Sequence, residues 1–243
     1  TANSTFFKKN FKKWIALFNK LFPKDDGYFF IASYLPFKID LKLQMSLGQF
    51  PKIWQNQSAP ETNPNIQQRQ WWLVDHKLKD ASFEDIARQL IPLHIPTVYL
   101  EGYKKLVKTE GLLDWPKKPK IIFTSNAWFG DDVFKRWMAE KIESGTMLMV
   151  GQHGGHFGMT PFSFMEKHQI DIADKWLSWG WSDKIRSQII PIGNFKNLRQ
   201  RTGYNPNGRA LMVETSLPRY SCYLTATPIS SQFLDYLDDQ QKF

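Results

Sequence analysis

The stretch from Lys120 to Gly158 constrains the fold more than any other part of the chain. KIIFTSN, at 120–126, is an apolar run that ends in small polar residues. Asp131 and Asp132 then open DDVFKRWMAEKIESG. Two acids in a first turn favour the helix dipole, and Gly145 sits where a C-terminal cap belongs. TMLMVG, at 146–151, is a second apolar run that gives way to QHGGHFG. Strand, helix and strand within about 30 residues predict a βαβ unit with parallel strands and a right-handed crossover.

The remaining pattern extends that unit into an α/β chain. YFFIASYL at 28–35 reads as a buried strand, and Asp40 to Gly48 resumes helical spacing. Residues 55–70 read as a long loop into a helix that starts near Asn65. Ser82 caps a helix over 82–91, with Asp85 one short of the capping-box position, and Pro92 and Pro96 bound a short segment. Further helices are expected over Tyr99–Lys108 and near Phe162–Lys167, with strands at Lys175–Trp179 and Ile189–Ile192. A polar linker at 197–208 precedes a fresh strand in RALMVETS and a helix within 219–237, broken or capped near Pro228. The prediction is a Rossmann-like parallel sheet over residues 1–196, followed by the beginning of a second domain over 197–243. A chain of 243 residues suits one large or two small domains at roughly 100–200 residues each.

Composition narrows the function classes. Apolar residues at 42% and charged residues at 23% are an ordinary globular mix and exclude wholesale disorder. Aromatics are high at 15%, so many rings must be buried in a core or presented to a ligand or membrane. Cys222 is the single cysteine, which excludes an intrachain disulfide and a Cys-rich zinc site and points to a reducing, cytoplasmic compartment. No run of about 18 apolar residues predicts a membrane span.

The net charge of +9 comes largely from lysines near the N-terminus and in connectors. In residues 5–22, Phe7, Phe11, Trp14, Leu17, Phe18 and Leu21 recur at steps of three and four, with lysines filling other positions. That is an amphipathic helix with a basic face. It either packs on its own domain or lies on an anionic membrane surface, which would place the protein on the inner face of the inner membrane. Gly-x-Gly-x-x-Gly, the P-loop pattern and nucleic-acid motifs are absent, so no nucleic-acid partner is expected.

Ligands of open parallel sheets bind beyond the carboxyl ends of the strands. Three expected strands end in polar or glycine-rich sequence: Thr124-Ser125-Asn126, Gln152 to His156, and Glu214-Thr215-Ser216. Gly154 and Gly155 permit positive φ and close backbone approach, and their amides suit a phosphate. His153 and His156 place two imidazoles within one turn, suited to proton transfer, unless they only bond backbone in a tight turn. Asp131, just past a strand end, and Glu214 are candidate catalytic carboxylates; for Asp131 the alternative is a simple helix N-cap. Arg219 and Tyr220 are candidates to meet phosphate or carboxylate, with a surface ion pair as the alternative for the arginine. Trp176 and Trp179 read as packing. Histidine spacing does not fit a zinc site, and neither a metal nor another cofactor is expected.

FTSNAWFGDDVFKRWMAEKIESGT, GQHGGHFG, IADKWLSWGW, the IPIGN turn and LPRYSCYL, in this order, resemble a family of transferases from bacterial surface-carbohydrate loci. IASYLPFKIDLKLQMSLGQFPKIW is similar to the same family, so the resemblance covers nearly the whole chain. It implies a GT-B glycosyltransferase, with two Rossmann-like domains facing a cleft, related to retaining Kdo transferases of lipopolysaccharide biosynthesis. The residues that carry over are Asn126, Gln152, His153, Gly154, Gly155, Gly193, Asn194, Arg219 and Tyr220. Family members are longer at both ends, so the chain looks like a segment of a larger protein, and the isolated 243 residues are not expected to be active.

The resemblance implies transfer of a sugar from a nucleotide-activated donor to a surface glycan or lipid-linked acceptor. The preferred donor is a CMP-activated ulosonic acid, either Kdo or a sialic-acid-like nonulosonate. Arg219, Lys135 and the glycine-turn amides would hold the anionic donor. In a retaining scheme Asp131 or Glu214 is nucleophile or electrostatic partner; in an inverting scheme His153 or a carboxylate takes the acceptor proton. A sugar-nucleotide epimerase on the same fold and a non-catalytic, basic nucleic-acid-binding domain are the alternatives.

Overall fold

The computed structural model describes residues 26–70, 82–160, 163–197, 203, 205–209, 211, 213, 228 and 230–242. The basic helix expected over residues 5–22 lies outside them. The chain divides into two compact units, Thr1–Gln200 and Arg201–Phe243.

In the first unit, strands β1 (Tyr28–Ile31), β2 (Ile121–Thr124), β3 (Met147–Gly151), β4 (Lys175–Ser178) and β5 (Ile189–Pro191) form one sheet. The spatial order is β1-β2-β3-β4-β5, and every pair is parallel. The register sets Ile121 beside Met147 and Thr124 beside Val150, so the expected β2–β3 pair is present. Between them run the short helix α5 (Ala127–Gly130) and the crossover helix α6 (Asp132–Glu143). Asp131 is the N-cap of α6, and Gly145 takes φ +92° just beyond its end. This is a Rossmann-like parallel α/β fold.

The other described helices of this unit are α1 (Phe37–Ser46), α2 (Ile66–Arg69), α3 (Phe83–His94), α4 (Tyr103–Gly111) and α7 (Phe164–Ile172). Helix α4 packs on α6, and α7 packs on β3 and β4. Helices α4, α5, α6 and α7 together bury one face of the sheet. On that face Phe29, Ile31, Ile122, Leu148, Val150 and Trp176 are at most 1% exposed. Parallel neighbours joined in sequence order by crossovers of one hand receive all those crossovers on one side, which accounts for the one-sided core.

Much of the aromatic excess lies in this core. Phe29 meets Trp54, Trp115, Phe134 and Trp137 at ring-centroid distances of 5.2, 5.4, 6.2 and 4.5 Å. Trp176 is fully buried and donates its indole N–H to Gln169 Oε1 at 3.1 Å, the packing role its sequence suggested.

Several boundaries differ from expectation for identifiable reasons. Asp85 is at the capping-box position after all: Ser82 Oγ accepts its N–H, and its carboxylate accepts the Ser82 N–H. Helix α3 also continues through Pro92 rather than ending there. Arg69 makes this tolerable by donating to the carbonyls of Pro92, Leu93 and Ile95, groups that a helix end leaves without intrahelical partners. Arg69 is itself paired with Glu101 at 2.6 Å. Asn65 caps α2 as expected, accepting the N–H groups of Gln67 and Gln68. Helix α4 starts at Tyr103 because residues after Pro96 form a 3₁₀ turn, Thr97–Tyr99.

In the second unit, helix α8 (Ser231–Lys242) is described. Of the expected RALMVETS strand, Arg209, Leu211 and Val213 are described, and none lies in a strand. Glu214, Arg219 and Tyr220 lie outside the described residues. Among those residues, no helix is long and apolar enough to cross a membrane.

Candidate active site

The parallel register brings the carboxyl ends of all five strands to one edge. At the end of β1 the chain is strained: Ala32 and Tyr34 take φ +45° and +57°. A bulky residue with positive φ is an outlier, and such conformations persist only where neighbours over-determine them. Ser125 at the end of β2 does so here. Its N–H donates to Ala32 O at 3.1 Å and its hydroxyl to Ser33 O at 3.0 Å.

This conformation carries the Tyr34 ring over the edge, where it meets groups from three other strand ends. Asn126, after β2, donates its side-chain amide to Tyr34 Oη at 3.0 Å. The His153 imidazole, after β3, stacks on the ring at a centroid distance of 6.1 Å and 10° between planes. Lys196 Nζ, after β5, lies 5.0 Å from the ring centroid. Asn194 orders that last turn, its Oδ1 accepting the Lys196 N–H at 3.1 Å, and Gly193 supplies φ +88°. Three expected residues, Asn126, His153 and Asn194, are thus gathered around a tyrosine and a lysine that sequence reasoning missed. The signal was available: applied to every strand end rather than three, the carboxyl-edge rule would have selected both.

The turn that carries His153 is held by Gln152. Gln152 is 2% exposed, and its side-chain amide donates to Gly154 O at 2.7 Å. Its Oε1 accepts the Trp179 N–H at 2.8 Å and the Trp181 indole N–H at 3.1 Å. Gln152 therefore ties the catalytic candidate to the loop after β4 and presents little of itself to a ligand. Preceding it, Gly151 leaves no room for a side chain: a Cβ there would stand 2.7 Å from Phe195 and 2.8 Å from Ser125 Oγ. At this edge positive φ falls at Gly158, Gly180 and Gly193, not at Gly154 and Gly155, and a Cβ at Gly158 would stand 2.8 Å from the Trp181 ring. Among the described residues, the N–H groups of Gly154, Gly155 and His156 find no protein acceptor.

His153 Nδ1 is buried without a hydrogen-bond partner among the described residues, and so is Trp179 Nε1. Buried polar groups are overwhelmingly paired, so two unpaired ones flanking a single turn mark a place where a ligand would complete the bonding. Burial holds the His153 pKa below the ordinary imidazole value of 6.5, and the nearby His156 and Lys196 charges lower it further. The ring is accordingly neutral near pH 7, the state that accepts a proton. His156 is exposed and rests on Phe157 at 3.9 Å between ring centroids.

Asp131 has a structural position. It is 1% exposed, with one oxygen accepting the Phe134 N–H at 2.8 Å and the other the Gln57 N–H at 2.7 Å. It caps α6 and pins the 50–65 loop to it, the alternative its sequence context had offered. Burial raises its pKa, opposed by those two bonds. Lys135, a candidate for holding the donor, is paired with Asp132 at 2.5 Å.

The fold and this edge define a Rossmann-like α/β protein with a candidate site at the carboxyl ends of its strands. Across residues 1–243 the chain matches the LIC12162 family transferase, and it belongs to that family. No curated protein and no solved structure matches it. The chain is therefore an enzyme of the transferase class.

Proposed function

We propose that the transferred group is a glycosyl unit, moved from a nucleotide-activated donor to a hydroxyl of a surface glycan or lipid-linked acceptor. The observation that carries this reading is the pair of buried groups without partners among the described residues, His153 Nδ1 and Trp179 Nε1, with the His153 ring stacked on the strained Tyr34. In the transfer step the acceptor oxygen bonds to the anomeric carbon as the bond from that carbon to the donor phosphate breaks. The acceptor proton passes to the neutral His153, and the electron pair of the broken bond leaves with the nucleotide phosphate. Lys196 and the backbone amides of Gly154, Gly155 and His156 supply positive potential for the departing phosphate or for a donor carboxylate. A CMP-activated ulosonic acid, Kdo or sialic-acid-like, carries both anions and is the preferred donor. Asn126 and Asn194 shape the site through Tyr34 and Lys196. The two-domain GT-B arrangement, with 197–243 opening the second domain, a catalytic role for Glu214 and roles for Arg219 and Tyr220 in donor binding belong to the same proposal.

Calorimetric titration of the intact protein with CMP, UDP and GDP tests it. One nucleotide should bind, and Lys196→Ala should weaken it by about tenfold, as loss of a charge-assisted contact of 1–2 kcal/mol would. Failure of all three to bind would count against a nucleotide-activated donor.

A further inference from the structure

We infer that the Tyr34 hydroxyl donates a hydrogen bond to the phosphate of the bound nucleotide, a role that rests on the nucleotide-donor reading above. Tyr34 takes φ +57° and Ala32 takes φ +45°. A left-handed backbone costs free energy in any residue that carries a Cβ. Burial of the ring does not account for it, because Tyr34 remains 39% exposed. Strain of this kind clusters at ligand clamps, where the surrounding structure holds it in place.

Here the support comes from two sides. Ser125 bonds the Ala32 and Ser33 carbonyls from the end of β2. From α1, Asp40 Oδ2 accepts the Ser33 hydroxyl at 2.9 Å, and the buried Gln44 donates its amide to Asp40 Oδ1 at 2.7 Å. Ser33 Oγ in turn accepts the Leu35 N–H at 3.4 Å, so the residues on both sides of Tyr34 are tied to one hydroxyl. The turn is therefore ordered before a ligand arrives, which lowers the entropic cost of binding.

The direction of one hydrogen bond selects the chemistry of that ligand. Asn126 Nδ2 donates to Tyr34 Oη at 3.0 Å. That bond occupies a lone pair of the phenol oxygen and leaves its proton to be donated. Among the described residues the proton has no acceptor. An N–H donated to the oxygen also polarises the O–H and strengthens its own donation. Lys196 Nζ, 5.0 Å from the ring centroid, adds a positive charge beside it. A cation and a polarised O–H together favour an anionic oxygen, and in a nucleotide that oxygen belongs to phosphate. The stacked His153 ring sets the proton acceptor of the proposed step next to this contact.

Calorimetry of the intact protein with CMP, UDP and GDP, which carry phosphate but no transferred sugar or sugar carboxylate, gives the test. Tyr34→Phe keeps the ring that stacks on His153 and removes only the hydroxyl. It should weaken the nucleotide that the wild type binds by about tenfold or more, with a melting temperature close to that of the wild type. Asn126→Asp offers an acceptor where the amide donates and draws the phenol proton away from the ligand. It should therefore cost less affinity in the Tyr34→Phe background than in the wild type, the repulsion of the added charge being common to both. Wild-type affinity in Tyr34→Phe would overturn the inference and leave the nucleotide-donor reading standing, and so would an equal cost of Asn126→Asp in the two backgrounds. Failure of the wild type to bind any of the three would overturn the reading and the inference together.

Discussion

At the scale of single residues, the proposal gives His153 the chemistry of the edge, while the hydrogen bonds of Gln152 support the turn that carries it. The folded protein holds the His153 pKa below 6.5. As pH falls, the unfolded chain takes up this proton first. Stability from the neutral ring is therefore fully present above pH 6.5 and is lost as pH falls toward the folded value. Two outcomes follow. The limb of kcat/KM that reports the free base should have an apparent pKa below 6.5, and His153→Gln should flatten the fall in denaturation midpoint between pH 6.5 and 5. Gln152→Leu keeps the volume but leaves the Trp179 N–H, the Trp181 indole N–H and Gly154 O unpaired. It should cost about 1–3 kcal/mol for each group that stays buried and unsatisfied, read by urea denaturation, and should lower turnover of the folded fraction as the His153 turn loosens. The sequence singled out His153 and Gln152 by their place after an apolar strand. It did not separate their roles, because a glutamine at a strand end reads the same whether it faces a ligand or a neighbouring loop. Tyr34 follows β1 at the carboxyl edge and was selectable by that rule; what no local pattern announces is the left-handed backbone, held by Ser125, that carries its ring over the edge.

Among the elements, those whose signals are local were legible and those held by distant partners were not. The β2–α6–β3 unit followed from capping residues and apolar periodicity alone, and its register is as expected. Helix α3 passes Pro92 only because Arg69, 23 residues away in sequence, bonds its terminal carbonyls. The Arg69 hydrogen bond holds the Glu101 carboxyl down to about 2, from an ordinary 4.5. The stability this pair contributes is present above pH 4.5 and is lost as pH falls through about 2. Urea midpoints at pH 5 and pH 3 should accordingly differ more for the wild type than for Glu101→Gln; an equal difference would deny the pair a stabilising role. On α6, Trp137 is 2% exposed within the Phe29 aromatic cluster. Trp137→Ala should destabilise by about 3–5 kcal/mol while specific activity of the folded fraction is retained, checked by denaturation and by assay normalised to folded protein.

For the molecule as a whole, strand order and strand direction decide where chemistry can sit. Five parallel strands in sequence order gather Tyr34, Asn126, His153, Trp179 and Lys196 at one edge although they are spread over more than half of the chain. The same order sends the packed crossover helices α6 and α7 to one face of the sheet. The central claim is that this edge performs transfer, with His153 as proton acceptor. Nucleotide release by the intact protein, measured with CMP-, UDP- and GDP-activated sugars with and without a surface-glycan acceptor, tests it most directly when wild type and His153→Ala are run beside their melting temperatures. The account predicts acceptor-dependent release by the wild type, a loss of about 100-fold or more in His153→Ala, and nearly equal melting temperatures. A destabilised variant whose folded fraction turns over at the wild-type rate would contradict it.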